Sequence, residues 1–277
     1  MDGDGMTLPE ESIFRLVPIC VEPRQALLFE ALAYSADSID VAYSLLIRLT
    51  SQAEANDIDL NRVVRVQLFN NAWSMVDALH NMRQILSALN FGGPLASEFL
   101  SRYRSATDLR NAMDHLKDQA RNLAMKKKAE PPLIGALSYN YCTDEAIVKD
   151  DNGMILEITK GTSIVISIGR LRKKAQMEFL NPASMGVIHG NIAGLQLEAF
   201  GYSINLMEAH RDFAQLVSRM NEVLARDISD KARALADENG VPYEDLMGHF
   251  GAGFSAFVKW TASPSADVAS ASDTASP

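Results

Sequence analysis

The sequence predicts a mainly α fold: an antiparallel bundle of long helices with a small antiparallel β insertion after the third helix. Three observations carry that expectation. Three successive segments of about thirty residues repeat apolar side chains at three- and four-residue steps, the helical period. Short polar or Gly/Pro breaks separate these segments, and helices joined by short turns pack antiparallel. A β-branched stretch, Thr162–Ile168, then interrupts the helical pattern.

Residues 1–20 read as a loose leader ending in the apolar run Ile13–Cys20. Pro23 opens the first helix, because proline in a first turn loses no needed hydrogen bond. Its stripe is Leu28, Ala31, Leu32, Ser35, Ile39, Ala42, Leu46 and Leu49, and it runs to about Gln52. A second helix is expected from about Leu60 to Asn90, with Phe69, Ala72, Val76, Leu79, Met82 and Leu86 as its main stripe. Apolar on nearly two sides, it belongs in the middle of the bundle. FGGP at Phe91–Pro94 stops it, glycine being the usual C-terminal cap. The third helix is expected from about Leu95 to Lys128, where Pro131 and Pro132 end it, and Phe99, Ala106, Leu109, Met113, Leu116 and Ala120 form its apolar face.

Beyond it, Leu133–Tyr141, Met154–Ile158 and Thr162–Ile168 read as two or three strands, with turn signals at Asp150–Gly153 and Lys160–Gly161. Residues 170–182 suit a short helix, and Asn181–Gly201 reads as glycine-rich and irregular. Helix returns from Asn205 to about Asn239, faced by Leu206, Phe213, Leu216, Val217, Met220, Val223 and Leu224 and capped by Gly240. A short helix fits Tyr243–Phe250, and the Ala/Ser/Asp/Pro-rich tail from Ser263 is expected to be disordered. The segments are then 1–20, leader; 21–130, helical bundle; 131–182, β insertion and short helix; 183–260, loop and long C-terminal helix; and 261–277, tail.

Composition narrows the function classes. A net charge of -9 argues against coating nucleic acid through broad electrostatics, although Lys126–Lys128 and Arg170–Lys174 are local basic clusters. Two widely separated cysteines, Cys20 and Cys142, exclude a disulfide framework or a cysteine-rich metal site. No window is apolar for the roughly 18 residues that a membrane span needs. The acidic start lacks the basic and apolar regions of a signal peptide, so a cytoplasmic protein without membrane association is expected.

The third helix carries the segment RNAMDH, Arg110–His115. On a continuous helix, Asp108, Asn111, His115, Asp118 and Asn122 form a polar stripe opposite the apolar face, and Thr107, Arg110, Asp114, Lys117 and Arg121 form a charged stripe between the two. His115 is thus expected to point to solvent, to the later sheet or to a second subunit. Asn111 is its neighbour four residues earlier, and Arg110 lies about 140° around the axis. An imidazole near neutrality can take a proton from a ribose 2′-hydroxyl or give one to a leaving oxygen. A guanidinium supplies forked donors to a phosphate, and an asparagine can orient the imidazole or hold the phosphate.

RNAMDH, late in a run of long helices, resembles the Arg–polar–x3–His signature of the HEPN superfamily. The resemblance implies a four- or five-helix bundle, homodimerisation and metal-independent endoribonuclease activity of a toxin or defence type, without a cofactor. It implies catalytic roles for Arg110 and His115, and for Asn111 as the polar residue after the arginine. Lys126, Lys127 and Lys128 would flank the site as RNA-phosphate contacts; their plain reading is interaction with a helix C-terminal dipole. RNA, a second copy of the chain, and an antitoxin or other partner protein are the partners to expect. The alternative is a non-catalytic bundle that binds a nucleotide or a protein, in which Arg110–Asp114 is an ordinary i,i+4 ion pair.

Other histidines carry less. His80 suits the edge of the core, and GVIHGNIAG around His189 fits neither phosphate-loop fingerprint. His210 and Asp212 read as a solvated helix face rather than metal ligands. No HExxH or GxSxG is present, which disfavours zinc proteases and serine hydrolases.

Overall fold

The structure is a computed structural model that describes residues 6–55, 61–125, 134–142, 161–168, 188–189 and 191–249. Expectations for Lys126–Lys128, Asp150–Gly153, Met154–Ile158, residues 170–182 and the tail from Ser263 lie outside the described residues. The described chain is mostly helical, with a small antiparallel sheet of five strands.

Helices α1 (Pro23–Ala55) and α2 (Arg62–Ala88) are each other's most extensive neighbours. The six residues of the expected α2 stripe are all buried, and so are Leu68, Met75, Ala78 and Ile85 beside them. Burial around this much of the circumference is what a helix apolar on two sides requires. Asn61 caps α2, its side chain accepting from the Val64 N–H.

The end of α2 corrects one detail. Asn90, not a glycine, holds the left-handed position with φ 51°. The Phe91 N–H donates to Leu86 O at 3.2 Å and the Asn90 N–H to Ser87 O at 3.3 Å, which closes a Schellman motif. Asparagine tolerates this conformation better than other residues with a Cβ. Gly93, with φ 112°, instead precedes Pro94 at the start of the next helix.

The expected third helix is three helices: α3 (Pro94–Arg102), α4 (Arg104–Asp114) and α5 (Leu116–Met125). The breaks fall at Tyr103 (φ −99°, ψ 26°) and His115 (φ −101°, ψ 33°), outside the α-helical basin. At the first break the buried Tyr103 ring packs 4.9 Å from Phe99 while its hydroxyl donates to Asp212 at 2.7 Å. These contacts anchor the chain where the helix turns. Apolar periodicity cannot register such a break, because it continues across one displaced residue.

The sheet is larger than expected. Strands β1 (Ala136–Cys142) and β2 (Gly161–Ser167) pair antiparallel, as the β-branched pattern indicates. The stretch read as irregular, Asn181–Gly201, contains β3 (Ile188–His189) and β4 (Ile192–Ala199), and β5 (Tyr202–Asn205) follows it directly. β4 is central, with β1 along one edge and both β3 and β5 along the other. Its glycine sits at an irregularity rather than a strand end: Gly194 has φ 61° where the β1–β4 register shifts. Phe200 and Gly201, both at positive φ, make the two-residue hairpin turn into β5. Gly194 and Gly201 therefore shape a sheet rather than ending it.

Helix α6 (Leu206–Asn239) and the short α7 (Tyr243–Met247) follow. Asn205 caps α6 by accepting from the Met207 and Glu208 N–H groups, and Gly240 closes it in the left-handed region. Leu206, Phe213, Leu216, Val217 and Met220 are buried against β4, α1, α2 and α3. The leader is not loose over its described part: Leu8 and Phe14 are buried in the same core, and Arg15 Nη1 lies 2.8 Å from Asp37 Oδ2 on α1.

Candidate functional site

Arg110, Asn111 and His115 lie at or near the surface of α4, with Ala106, Leu109 and Ala112 buried behind them. Arg110 is half-buried, because Thr107 and Arg110 of the expected charged stripe face α2, while Asp114, Lys117 and Arg121 are exposed. Its Nε lies 2.9 Å from Asp77 Oδ1, and its Nη1 pairs closely with Asp114. One turn earlier, Thr107 Oγ1 accepts from Arg83 Nε at 3.1 Å and lies 3.3 Å from His80 Nδ1. His80 is accordingly an edge residue that ties α2 to α4.

The two carboxylates engage Nε and Nη1 and leave Nη2 of Arg110 without a bonded partner among the described residues. They fix the direction of the fork and also offset its charge. Burial raises the Asp77 carboxyl above its ordinary value, and Asp114 adds to this, while Arg110 and His80 oppose it.

His115 is exposed at the break between α4 and α5. Its N–H still donates to Asn111 O at 3.2 Å, and its carbonyl accepts from Asp118 and Gln119. The backbone therefore joins His115 to Asn111, which is also exposed. Among the described residues no hydrogen bond links the His115 side chain to Arg110 or Asn111. His115 is the C-cap of α4, so the helical-wheel angle between Arg110 and His115 holds up to the cap and not beyond it.

Asp77 also borders a groove of about 580 Å³ between α1 and α2. Tyr34, 73% exposed, stands over it, and Ser38, Asn71, Ser74 and Asn81 contribute polar groups. Through Asp77, the Arg110 guanidinium sits beside this groove.

A second cluster escaped the sequence reading. Asp40 on α1 is buried, and it accepts from the Thr7 N–H at 2.7 Å and the Thr7 hydroxyl at 2.8 Å. His210 Nε2 on α6 lies 2.9 Å from the same carboxylate. Burial alone would raise the Asp40 carboxyl; the hydrogen bonds from His210 and Thr7 outweigh it and hold the group below its ordinary value. The His210 ring stacks on Tyr43 at 3.9 Å, and the Tyr43 hydroxyl lies 3.4 Å from His189 Nδ1. Burial pushes the Tyr43 hydroxyl up to about 12. The available signal was an acid set within the run Ile39, Ala42, Tyr43 and Leu46, where a solvated residue is out of place.

His210 and Asp212 are not a solvated pair. Asp212 turns to Arg102 at 2.8 Å and Tyr103 at 2.7 Å, away from the His210–Asp40 contact. Among the described residues no group of three or more His, Cys, Asp or Glu side chains could hold a metal ion. Nor, among them, is any helix long and apolar enough to cross a membrane. Cys20 and Cys142 are free thiols. Comparison of the chain with family models, curated proteins and solved structures finds no match.

Proposed function

We propose that this is a HEPN-like protein whose Arg110–Asn111–His115 face binds an RNA phosphodiester, with His115 as the proton-transfer group of a metal-independent endoribonuclease. The observation that carries the reading is the state of Arg110. Two carboxylates hold its fork in place, and Nη2 keeps donors for a phosphate oxygen. The exposed His115 is open to substrate on the same helix end. Neither His115 nor Asn111 has a packing role that would explain it.

In this reading α1 to α4 form the antiparallel HEPN-like bundle and the sheet is its insertion. A two-fold homodimer brings two copies of the motif together, so that Arg110 of one copy and His115 of the other can address one phosphate. Lys126–Lys128 extend the phosphate track. The protein acts in the cytoplasm as a toxin or defence factor, restrained by an antitoxin or other partner.

A specific observation favours a second reading, nucleotide binding without cleavage. The α1–α2 groove is of ligand size and carries an exposed aromatic ring and two asparagines, with Asp77 linking it to Arg110. Its two aspartates, Asp37 and Asp77, suit donors on a base or ribose and repel phosphate from the groove itself.

Purified protein and the variants His115→Ala and Arg110→Ala, incubated with total RNA and a chelator, separate the readings. The ribonuclease predicts cleavage by the wild type alone. Intact RNA with saturable nucleotide binding, lost in Tyr34→Ala, selects the second reading. Intact RNA and no binding overturns both.

A further inference from the structure

The antiparallel bridge between Pro18 and His249 brings the last described residue to the rim of an apolar groove. The Ile19 N–H donates to Gly248 O at 2.8 Å, and the Cys20 N–H donates to Leu246 O at 3.2 Å. His249 is thereby set beside Pro18. Pro18 lies on one wall of a groove of about 810 Å³, together with Leu16, Val17 and Ile19, and Leu27 on α1 also lines it. Ile19 and Leu27 are 49% and 66% exposed. Such a contiguous apolar patch marks an interaction surface.

The residues that follow His249 have matching chemistry. FGAGFSAFVKWTA, 250–262, places Phe250, Phe254, Phe257 and Val258 at the three- and four-residue steps that gather apolar side chains on one helix face. Lys259 is its one charged residue, and the groove carries Glu10 and Glu30, with Arg15 on its lining already paired to Asp37. We infer that residues 250–262 of this same chain are the occupant of the groove, seated by their aromatic side chains and clamping the C-terminal segment over the leader and the first turns of α1. The inference is independent of the RNA reading.

Hydrogen exchange of the full-length protein, read by mass spectrometry, tests it. Peptides spanning 250–262 are expected to be protected in the wild type. Leu27→Asp should abolish that protection while peptides of α6 keep theirs; Leu27 is exposed, so the fold tolerates the change. Phe254→Asp should have the same effect from the other side of the contact. Exchange of 250–262 at the unfolded-chain rate in the wild type overturns the inference. Protection that survives Leu27→Asp also overturns it, since the segment then sits elsewhere. Protection that rises with protein concentration overturns it in favour of a second copy as occupant.

Discussion

Nε of Arg110 on α4 lies 2.9 Å from Oδ1 of Asp77 on α2, so the cation that the RNA reading needs is also a tie between two helices. The same pair anchors the fork and offsets its charge. Both side chains are partly exposed, so the tie itself is worth only about 0–1 kcal/mol.

Asp77→Asn tests which role dominates. It removes a negative charge from the phosphate approach and leaves a polar side chain in place. The expected result is tighter RNA binding with stability changed by less than about 1 kcal/mol. Filter binding at low and moderate salt reads the affinity. Weaker binding would make Asp77 an essential positioner of the arginine.

His115→Ala should leave stability within about 0.5 kcal/mol of wild type, because the side chain is exposed and without a hydrogen bond among the described residues. Thermal unfolding followed by circular dichroism measures this. A large loss would assign His115 to holding the α4–α5 break instead of to chemistry.

Asp40 makes the protein acid-sensitive. Its folded pKa is depressed relative to the unfolded chain, so the ionised carboxylate contributes stability that is complete above the ordinary carboxylate range. That contribution is lost as pH falls through the depressed value. Urea titrations across the acid range should show this decline. Asp40→Asn should flatten it and cost about 1–3 kcal/mol near neutrality, the scale for breaking buried hydrogen bonds to a charged group.

Gly135 leads into β1 at φ +105°, and a Cβ there would meet Glu198 O at 2.6 Å and Ala199 Cβ at 2.9 Å. Gly135→Ala should therefore destabilise by about 1–3 kcal/mol, from backbone strain with steric overlap added. A lowered denaturation midpoint with an unchanged slope is the expected signature. An unshifted midpoint would mean that the strand entry relaxes freely.

The helical elements were legible where periodicity and caps agreed. Pro23 opens α1, Asn205 and Gly240 bracket α6, and the stripe from Phe69 to Leu86 is buried throughout. The broken third helix was hidden because Phe99, Ala106 and Leu109 keep a helical spacing across Tyr103. β4 was hidden because its glycine and small residues resemble a loop until β1 and β5 pair with it. Of the site, the polar stripe left His115 facing solvent, the sheet or a second subunit, and the structure exposes it with Asn111, whereas nothing local indicated the Asp77 partner of Arg110.

The sequence alone determined which residues are apolar, at what period, and which caps bracket the long helices, because these depend on neighbours within a few positions. Tertiary structure decided everything that depends on a partner far along the chain. It set Asp77 against Arg110, buried Asp40 beneath Thr7 and His210, stacked His210 on Tyr43, and drew five strands into one sheet. A charge or a strand edge is satisfied by whichever group the fold carries to it, and local spacing holds no record of that distant group.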